Sequence, residues 1–522
     1  MNSGRLLALF AITALPLVWL VNRFNFLCDD AYISYRYARN LANGSGLRFN
    51  LGVEPPVEGY TNLLWILWCS VFEGLDLDVA LFSRATTVVL AFATLFLLLR
   101  LATKLLQTPD ASRAFVAPLA GGLFLALHPS FAVWATSGME TLAFSFCLFL
   151  GFERLLFEPA RPRTLQAGLA LVTAALLRAD GVVLCAGVLA GALLWSLLEQ
   201  RHELRASVLR VSLLVIAAVA LQLLFRRFYH GDFLPNTAHA KVSFGSAITL
   251  NRGSIYVAHF LLLFPAVLLA LPLTFARGPE TFRPSQRVAL ATCVPLATVY
   301  LWSLLVGGDY MAFGRFLVPA IPFAALLFAC AAARPVTSKF RLAWGTLLGA
   351  MLLTQLLPAF SKSAVPASLL EATNFRLHKD YETQVTAWKG LARGVERGRQ
   401  KGELLREHAR PGDSLVAGAV GAQAYFSDLF IYDRLGLVTR EVATRDVRQT
   451  VRAAGHDKGV SAAFFLKDEP TIMHIDLVRS KGSRTFEVPP ELSAEYVARS
   501  LPASDGVVLR LVVHKDSHLA KD

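Results

Sequence analysis

The chain has 522 residues, a formal net charge of +13 and a mean hydropathy of +0.49. Hydrophobic residues make up 55% of the sequence and charged residues only 17%, whereas an average soluble domain has about 25% charged residues. This composition excludes an ordinary soluble domain and predicts a membrane protein. Basic loops beside membrane helices explain the positive charge, so nucleic acid is not an expected partner.

Eleven apolar segments are candidates for membrane-spanning helices, which need roughly 20 mostly apolar residues each. The first begins near Arg5 and lacks a small-x-small cleavage site, so it is interpreted as an uncleaved helix rather than a signal peptide. The segment 63–72 is too short to span and predicts a Trp-rich helix at the membrane interface. In chain order, the eleven segments are about 6–22, 79–99, 115–133, 139–157, 164–178, 181–198, 206–225, 255–276, 288–306, 316–333 and 342–360.

The distribution of lysine and arginine predicts the orientation of these helices. With the N-terminus in the cytoplasm, the inner connections contain more basic residues than the longer outer loops, as the positive-inside rule requires. The odd number of helices then places the segment 361–522 outside the cytoplasm. The predicted organisation is a membrane domain at 1–360, whose first outer loop is about 23–78, followed by a soluble extracytoplasmic domain at 361–522.

The segment 361–522 contains no cysteine, so no disulfide framework is expected there. Helical character at 383–407 and short apolar runs between charged stretches predict a small α/β or α+β domain. The three runs lie at 414–420, 461–466 and 506–513.

Polar residues collect in five clusters, all at the predicted outer ends of helices. Charged side chains at membrane depth are costly, so these clusters are the candidates for function. The clusters contain Asp29, Asp30, Tyr32 and Arg36 with Glu58, Tyr60 and Asn62; Glu140; Arg178 and Asp180; Asn236, His239 and Lys241; and Asp309 and Arg315.

Asp29 and Asp30 directly follow the first predicted helix. Two adjacent carboxylates could serve as a general base, bind a divalent cation, pair with basic residues or simply end a helix in water. The neighbouring Tyr32 and Arg36 favour the functional interpretation, because carbohydrate and phosphate sites often combine aromatic and basic side chains.

The other clusters also allow structural interpretations. Glu58 and Glu140 suit helix N-termini, and Arg178 could form a salt bridge with Asp180 across a tight hairpin. Lys241 could bind a phosphate or reach the membrane interface.

The same two alternatives apply to Arg315, whereas His239 favours a structural role. The sequence contains no His/Cys zinc spacing, P-loop, dinucleotide fingerprint or nucleophile elbow. No cofactor is therefore predicted, apart from the divalent cation that Asp29 and Asp30 could bind.

Several of these blocks resemble a known family. DDAYISYRYARNLANGSGLRFN followed by VEGYTNLLW is similar to the first extracytoplasmic loop of the AftB-like terminal β-1,2-arabinofuranosyltransferases. SGMET, LRADG, GDFLPNTAHAK, GGDYMAFGRFLVPAIP and GAVGAQAYFSDLFIYDRLGLVTREVA match further blocks in the same order. LRADG departs from the family pattern, in which Arg-Pro-Asp-Gly is expected.

The resemblance implies a GT-C membrane glycosyltransferase in the bacterial cytoplasmic membrane. Such enzymes transfer a sugar from a polyprenyl-phosphate donor to an envelope glycan, glycolipid or protein on the outer face; arabinofuranose is the sugar that the resemblance suggests. It implies Asp29, supported by Asp30, as the catalytic base, and Arg36, Lys241 and Arg315 as ligands of the donor phosphate. The remaining polar residues of the five clusters are the expected substrate-binding groups.

Three alternatives remain open from the sequence. A lipid-linked sugar flippase or transporter also has many helices, but polar breaks at mid-membrane and internal repeats would then be expected. A GT-C enzyme for mannose, glucose or aminoarabinose would have the same polar face. The third alternative is a structural subunit of an envelope complex, with the tail as a binding module.

Overall fold

The computed structural model describes residues 3–107, 110–157, 163–241, 245–276, 280–374, 381–446, 458–479, 486–502 and 507–521. The chain is mainly helical, with a small C-terminal sheet. Within the described residues, seven helices are long and apolar enough to cross a membrane. They are Ser3–Arg23, Val79–Leu105, Gly181–Leu198, His202–Tyr229, Arg283–Leu305, Arg315–Ala332 and Ser338–Phe360.

Two further predicted spans are bent pairs of helices. The segment Ser112–Ala126 continues as Pro129–Ala135 after a bend of 57°, and Ala247–Leu263 continues as Ala266–Phe275 after a bend of 79°. A proline stands at each break and removes a helical N–H donor, which explains why neither pair continues straight. Counting each pair as one span gives up to nine among the described residues.

The remaining two predicted spans, 139–157 and 164–178, form the helices Thr141–Leu156 and Thr164–Leu177. With 16 and 14 residues they are shorter than a typical span. All eleven predicted segments therefore contain helices, while the number that crosses the membrane stays a prediction. The predicted interfacial helix is present as Leu63–Gly74.

A helix that the hydropathy pattern did not predict, Asp29–Ala42, begins at the acidic pair. Its aromatic and basic side chains are mostly buried despite its low apolar content. The other α-helices are Asn236–Lys241, Ala367–Ala372, Gln384–His408, Ala422–Ser427 and Arg440–Ala443. Short 3₁₀ turns lie at Glu280–Phe282, Ser338–Phe340, Leu357–Phe360, Ala462–Asp468, Pro490–Leu492 and His518–Ala520.

The tail contains a five-stranded mixed sheet with the strand order β2-β1-β3-β5-β4. The first two pairs in this order are parallel and the other two are antiparallel, which confirms the predicted mixture of helix and strand. The predicted apolar run at 461–466 belongs to a 3₁₀ segment that inserts Phe465 into the core, and is not a strand. The strands are β1 Ser414–Ala417, β2 Phe430–Asp433, β3 Ile472–Arg479, β4 Tyr496–Pro502 and β5 Val507–His514.

The chain divides into two compact units, each assembled from separate segments. The first contains 1–26, 80–222 and 243–388 and consists of the apolar helices. The second contains 27–79, 223–242 and 389–522. The predicted boundary near residue 360 concerns placement relative to a membrane and stays a prediction.

The predicted first outer loop and the tail belong largely to the same unit, and side chains of the loop form hydrogen bonds with the backbone of the tail. The Asn50 side chain donates to the Ile431 carbonyl at 2.8 Å and accepts from the Ile431 N–H at 3.0 Å. Asn50 thereby occupies hydrogen-bonding positions on β2, although it is more than 370 residues away in sequence.

Candidate active site

In the first unit, Arg178 forms a bidentate ion pair with Asp180. Nε lies 2.8 Å from Oδ1 and Nη2 lies 2.9 Å from Oδ2, and Nη1 also approaches Glu140 Oε1 at 3.5 Å. The Gly181 N–H donates to the Arg178 carbonyl at 3.0 Å and closes the turn. Ala179 is therefore accommodated where the family pattern has proline, and the predicted Arg178–Asp180 salt bridge is present.

The loop that follows helix Arg283–Leu305 adds a second charged pair to the same unit. Arg315 Nε donates to Asp309 Oδ2 at 2.7 Å, and both side chains are buried. The guanidinium of Arg315 lies 5.2 Å from the centre of the Phe316 ring, and that of Arg178 lies 5.1 Å from it. The Phe316 ring thus joins the two pairs, and three of the predicted outer loops contribute to one cluster.

We call Glu140, Arg178, Asp180, Asp309 and Arg315 the arginine cluster. It contains three carboxylates and two guanidiniums, and each guanidinium already has a carboxylate partner. A phosphate that binds Arg315 must therefore compete with Asp309 or rearrange the pair. Guanidinium groups bind phosphate well because they present several fixed N–H donors.

In the second unit, the Asp29 carboxylate binds the start of helix Ala422–Ser427. Oδ1 accepts the Ala422 N–H at 2.9 Å and Oδ2 accepts the Gly421 N–H at 3.1 Å. A side chain at position 421 would place its Cβ 2.0 Å from the Asp29 carbonyl oxygen, so the close approach requires glycine. The partial positive charge of a helix N-terminus favours the ionised carboxylate.

Burial raises the pKa of Asp29 to about 6; the two backbone N–H groups oppose this shift and the charge of Asp30 adds to it. A carboxyl group with a pKa near the working pH is suited to general base catalysis. Each Asp29 oxygen accepts one N–H donor, and a carboxylate oxygen has a second lone pair, so the divalent cation that the sequence allows at Asp29 and Asp30 stays a prediction. No group of three or more His, Cys, Asp or Glu side chains that could hold a metal occurs among the described residues.

The Arg36 side chain forms hydrogen bonds inside the second unit. It donates to the carbonyls of Phe49 at 2.8 Å, Ala424 at 2.9 Å and Leu429 at 2.6 Å, and only 3% of it is exposed. This geometry favours a structural role over phosphate binding. Tyr32, which is also buried, packs among the aromatic rings of Tyr35, Tyr425 and Phe426.

Glu58 is paired with an arginine that the sequence analysis did not select. Arg226, near the end of helix His202–Tyr229, donates through Nε to Glu58 Oε1 at 2.9 Å, and both side chains are buried. Burial raises the pKa of Glu58 to about 7, against the opposing charge of Arg226. The signal in the sequence was a basic residue at the edge of an apolar segment, which the positive-inside count treated only as a topology marker.

The neighbours of Glu58 also form internal bonds. Tyr60 Oη lies 3.1 Å from His230 Nε2, and Asn62 donates to Ser34 Oγ at 3.0 Å. The Asn236 side chain donates to the carbonyls of Gly436 and Leu437 at 2.7 and 2.9 Å. Through these hydrogen bonds, Tyr60 and Asn236 connect separate segments of the second unit, and Asn62 connects two parts of one segment.

In the predicted cluster of Asn236, His239 and Lys241, the structure describes the contacts of only the first two side chains. His239 Nε2 lies 3.0 Å from Asp232 Oδ2, and Arg440 donates to the same oxygen at 3.1 Å. His239 thus has an internal partner, and both its structural role and its place among the substrate-binding groups stay predictions. Lys241 ends helix Asn236–Lys241, and its side chain lies outside the described part of the structure.

The similarity to known proteins covers both sequence and fold. A family model described as a domain of unknown function (DUF8728) matches residues 378–509. The chain is 29% identical over 324 residues to the terminal beta-(1->2)-arabinofuranosyltransferase of Mycobacterium tuberculosis, which is 56% of this chain and 50% of that protein. The chain therefore spans about half the length of the curated relative that it matches.

Among solved structures, the chain is similar to the crystal structure of ArnT from Cupriavidus metallidurans bound to undecaprenyl phosphate. The TM-score is 0.54 at 13% identity, with 98% of each chain covered. The apo state of ArnT gives 0.53 at 12% identity and the same coverage. The chain has a GT-C fold.

The GT-C fold and the apolar helices make the chain a multi-pass membrane protein. The predicted fold class and the resemblance to the terminal arabinofuranosyltransferases are confirmed. The roles of individual side chains are not carried over by a fold alone, so they depend on the geometry described above.

Proposed function

We propose that this GT-C chain is a glycosyltransferase that transfers a sugar from a polyprenyl phosphate to an acceptor of the cell envelope. The observation that carries the proposal is the 29% identity to a terminal arabinofuranosyltransferase over 324 residues. Arabinofuranose is accordingly the first sugar to test. The ArnT structure, which has the same fold, was solved with undecaprenyl phosphate bound, and this supports a lipid-linked donor.

The proposed reaction is a direct displacement at the anomeric carbon. Asp29 accepts the proton of the acceptor hydroxyl, whose oxygen forms the new bond to the sugar. The bond between the sugar and the phosphate oxygen breaks, and the polyprenyl phosphate leaves with the electron pair. Arg315 and Lys241 are the proposed cations for the phosphate, because guanidinium and ammonium groups stabilise the charge that develops there.

The set of chain segments that form the second unit supports the predicted orientation. None of the three segments of the second unit contains a complete candidate span among the described residues. If the unit lies on one side of a bilayer, even numbers of crossings must separate 27–79 from 223–242 and 223–242 from 389–522. This is satisfied when each bent pair counts as one span and the two short helices both cross or both do not. The excess of basic residues in the other set of connections then favours an extracytoplasmic second unit.

Cysteine labelling tests this orientation. Leu51→Cys, Phe233→Cys and Arg397→Cys place exposed thiols in the three segments of the second unit, and Arg201→Cys places one in a predicted inner connection. A maleimide that does not cross membranes is expected to label the first three in whole cells and Arg201→Cys only after lysis. The wild-type chain is the control, since five of its six cysteines are buried. Labelling of Arg201→Cys alone in whole cells would reverse the orientation.

Reconstitution tests the reaction itself. The purified chain in lipid is expected to transfer arabinofuranose from a polyprenyl-phosphate donor to an arabinan acceptor, and to give no product from a nucleotide sugar. The physical reason is that the sequence contains no nucleotide-binding fingerprint. Turnover of a nucleotide sugar in the absence of any polyprenyl carrier would contradict the proposal. Transfer of another sugar by the same assay would keep the reaction class and change the substrate.

A further inference from the structure

The loop that carries Asp309 and Arg315 has an unfavourable backbone. Phe313 has a φ of 57° and Gly314 a φ of 61°, so two consecutive residues lie in the left-handed region. Glycine adopts this conformation readily, whereas a residue with a bulky side chain rarely does. The conformation of Phe313 therefore needs support from its surroundings.

A chain of hydrogen bonds within the first unit, buried at Phe313, Gln384 and His259, supplies this support. The Phe313 N–H donates to Gln384 Oε1 at 2.6 Å, and Gln384 Nε2 lies 3.3 Å from His259 Nε2. His259 Nδ1 lies 2.9 Å from Thr373 Oγ1, which donates to the Leu369 carbonyl at 3.0 Å. Gln384 and His259 are 3% and 2% exposed.

The donors and acceptors of this chain run in one consistent direction. Because Gln384 accepts from Phe313 through its oxygen, its nitrogen is the donor toward His259 Nε2. His259 is then neutral, carries its proton on Nδ1 and donates it to Thr373. Each group has a complementary partner, so the chain specifies one orientation of the Gln384 amide.

The same residues line a small cavity of about 10 Å³ beside the loop. Its walls include Tyr256 and Phe260 together with Phe313, Gly314, His259 and Gln384. Tyr256 Oη accepts the Phe316 N–H at 3.2 Å, so the loop is held on both sides of Arg315. The loop borders this small cavity and is held by these hydrogen bonds as well as by packing.

We propose that Gln384 and His259 are positioning residues that hold the loop 309–316 in the conformation in which Arg315 binds the donor phosphate. The inference rests on the proposed function for the identity of the ligand, but the hydrogen-bond chain can be tested without it. Neither residue belongs to the blocks that identified the candidate site.

The test compares three variants of the full-length protein in detergent. Gln384→Met removes both hydrogen bonds at nearly constant volume, and Gln384→Glu keeps the acceptor for Phe313. Gln355→Met is the matched control, because Gln355 is fully buried in the same unit and its amide atoms have no hydrogen-bond partner among the described residues. Hydrogen exchange of the peptide that contains 309–316 and binding of undecaprenyl phosphate are measured for each.

Gln384→Met is expected to speed exchange in this peptide and to weaken undecaprenyl phosphate binding on the order of tenfold, the effect of one buried hydrogen bond. Gln355→Met should stay close to wild type in both measurements. Gln384→Glu keeps the acceptor for Phe313 but loses the amide donor to His259, so it should fall between wild type and Gln384→Met. Wild-type exchange or wild-type binding in Gln384→Met overturns the proposal. If Gln384→Met does not fold, His259→Phe replaces it, with the same expected and contradicting results.

A failure of the proposed function gives a different result. If the wild-type protein does not bind undecaprenyl phosphate, the donor assignment fails for all variants alike. Hydrogen exchange then still decides whether Gln384 holds the loop, since that measurement needs no ligand.

Discussion

Replacement of Asp29 by asparagine is expected to lower the rate of sugar transfer by about 10²–10⁴-fold, the usual cost of losing a positioned general base. Asparagine keeps the size of the side chain but does not accept a proton at neutral pH. The protein should still insert into the membrane and keep its monomeric size in detergent. The measurement is transfer from a polyprenyl-phosphate sugar, together with thermal unfolding of the same preparation.

Asp29 also forms hydrogen bonds that hold the structure together, so this experiment needs a control for their loss. Its two oxygens accept the N–H groups of Gly421 and Ala422, and an asparagine has only one oxygen to offer. Gly421→Ala disturbs the same contact by steric overlap with Asp29, but it keeps an ionisable carboxyl group at position 29. If Asp29 is the base, Asp29→Asn loses far more activity than Gly421→Ala at equal loss of stability. Equal losses in both variants would assign Asp29 a structural role.

The pH dependence gives an independent measurement. With a raised pKa of about 6, Asp29 is ionised above that pH and protonated below it, so transfer should fall as the pH drops through 6. Asp30→Asn removes a neighbouring negative charge, which lowers the pKa of Asp29 and moves this acid limb to lower pH. An Asp30→Asn variant that loses as much activity as expected for Asp29→Asn would instead move the base to Asp30.

The sequence predicted the helices well because spanning a bilayer imposes a simple rule on composition. All eleven predicted segments contain helices, because a run of about 20 apolar residues is the length that an α-helix needs to cross a bilayer. The bends at 129 and 265 were not predicted, although a proline marks each one. The helix Asp29–Ala42 was missed because hydropathy does not identify a helix that is buried through aromatic and basic side chains.

The candidate site was predicted less completely, because the partners of its charges lie far away in sequence. Asp29 is bound by the backbone of Gly421 and Ala422, almost 400 residues later. Backbone N–H donors cannot be recognised from residue types. Only the glycine at 421 indicated that the backbone there could approach Asp29 closely. Arg36 appeared to be a phosphate ligand by residue type, yet its partners are carbonyl groups.

Local pairs were easier to predict than distant ones. Arg178 and Asp180 are two residues apart, so their salt bridge could be anticipated from spacing. The pairing of Glu58 with Arg226 joins residues 168 positions apart, and no spacing rule reaches that distance. The sequence therefore identified the charged residues of the site but not which of them neutralise one another.

Arg315→Gln is expected to abolish donor binding and also to destabilise the protein by about 3–5 kcal/mol, because it leaves the buried Asp309 carboxylate without its partner. The two effects are separated by the double variant Asp309→Asn/Arg315→Gln. Removing both charges of a buried pair is often nearly neutral for stability, so thermal unfolding of the double variant should return toward wild type. Asp309→Asn alone is the matched single variant.

Donor binding should behave differently from stability in this series. If Arg315 binds the phosphate, the double variant stays unable to bind undecaprenyl phosphate even though it is stable, because no guanidinium remains at position 315. Asp309→Asn alone should bind at least as tightly as wild type, since the phosphate no longer competes with a carboxylate for Arg315. Recovery of both stability and transfer in the double variant would make the pair structural and leave Lys241 and Arg178 as the cations to test. The expected competition between Asp309 and the phosphate follows from the geometry, because Arg315 Nε, which could bind a phosphate, already donates to Asp309 at 2.7 Å.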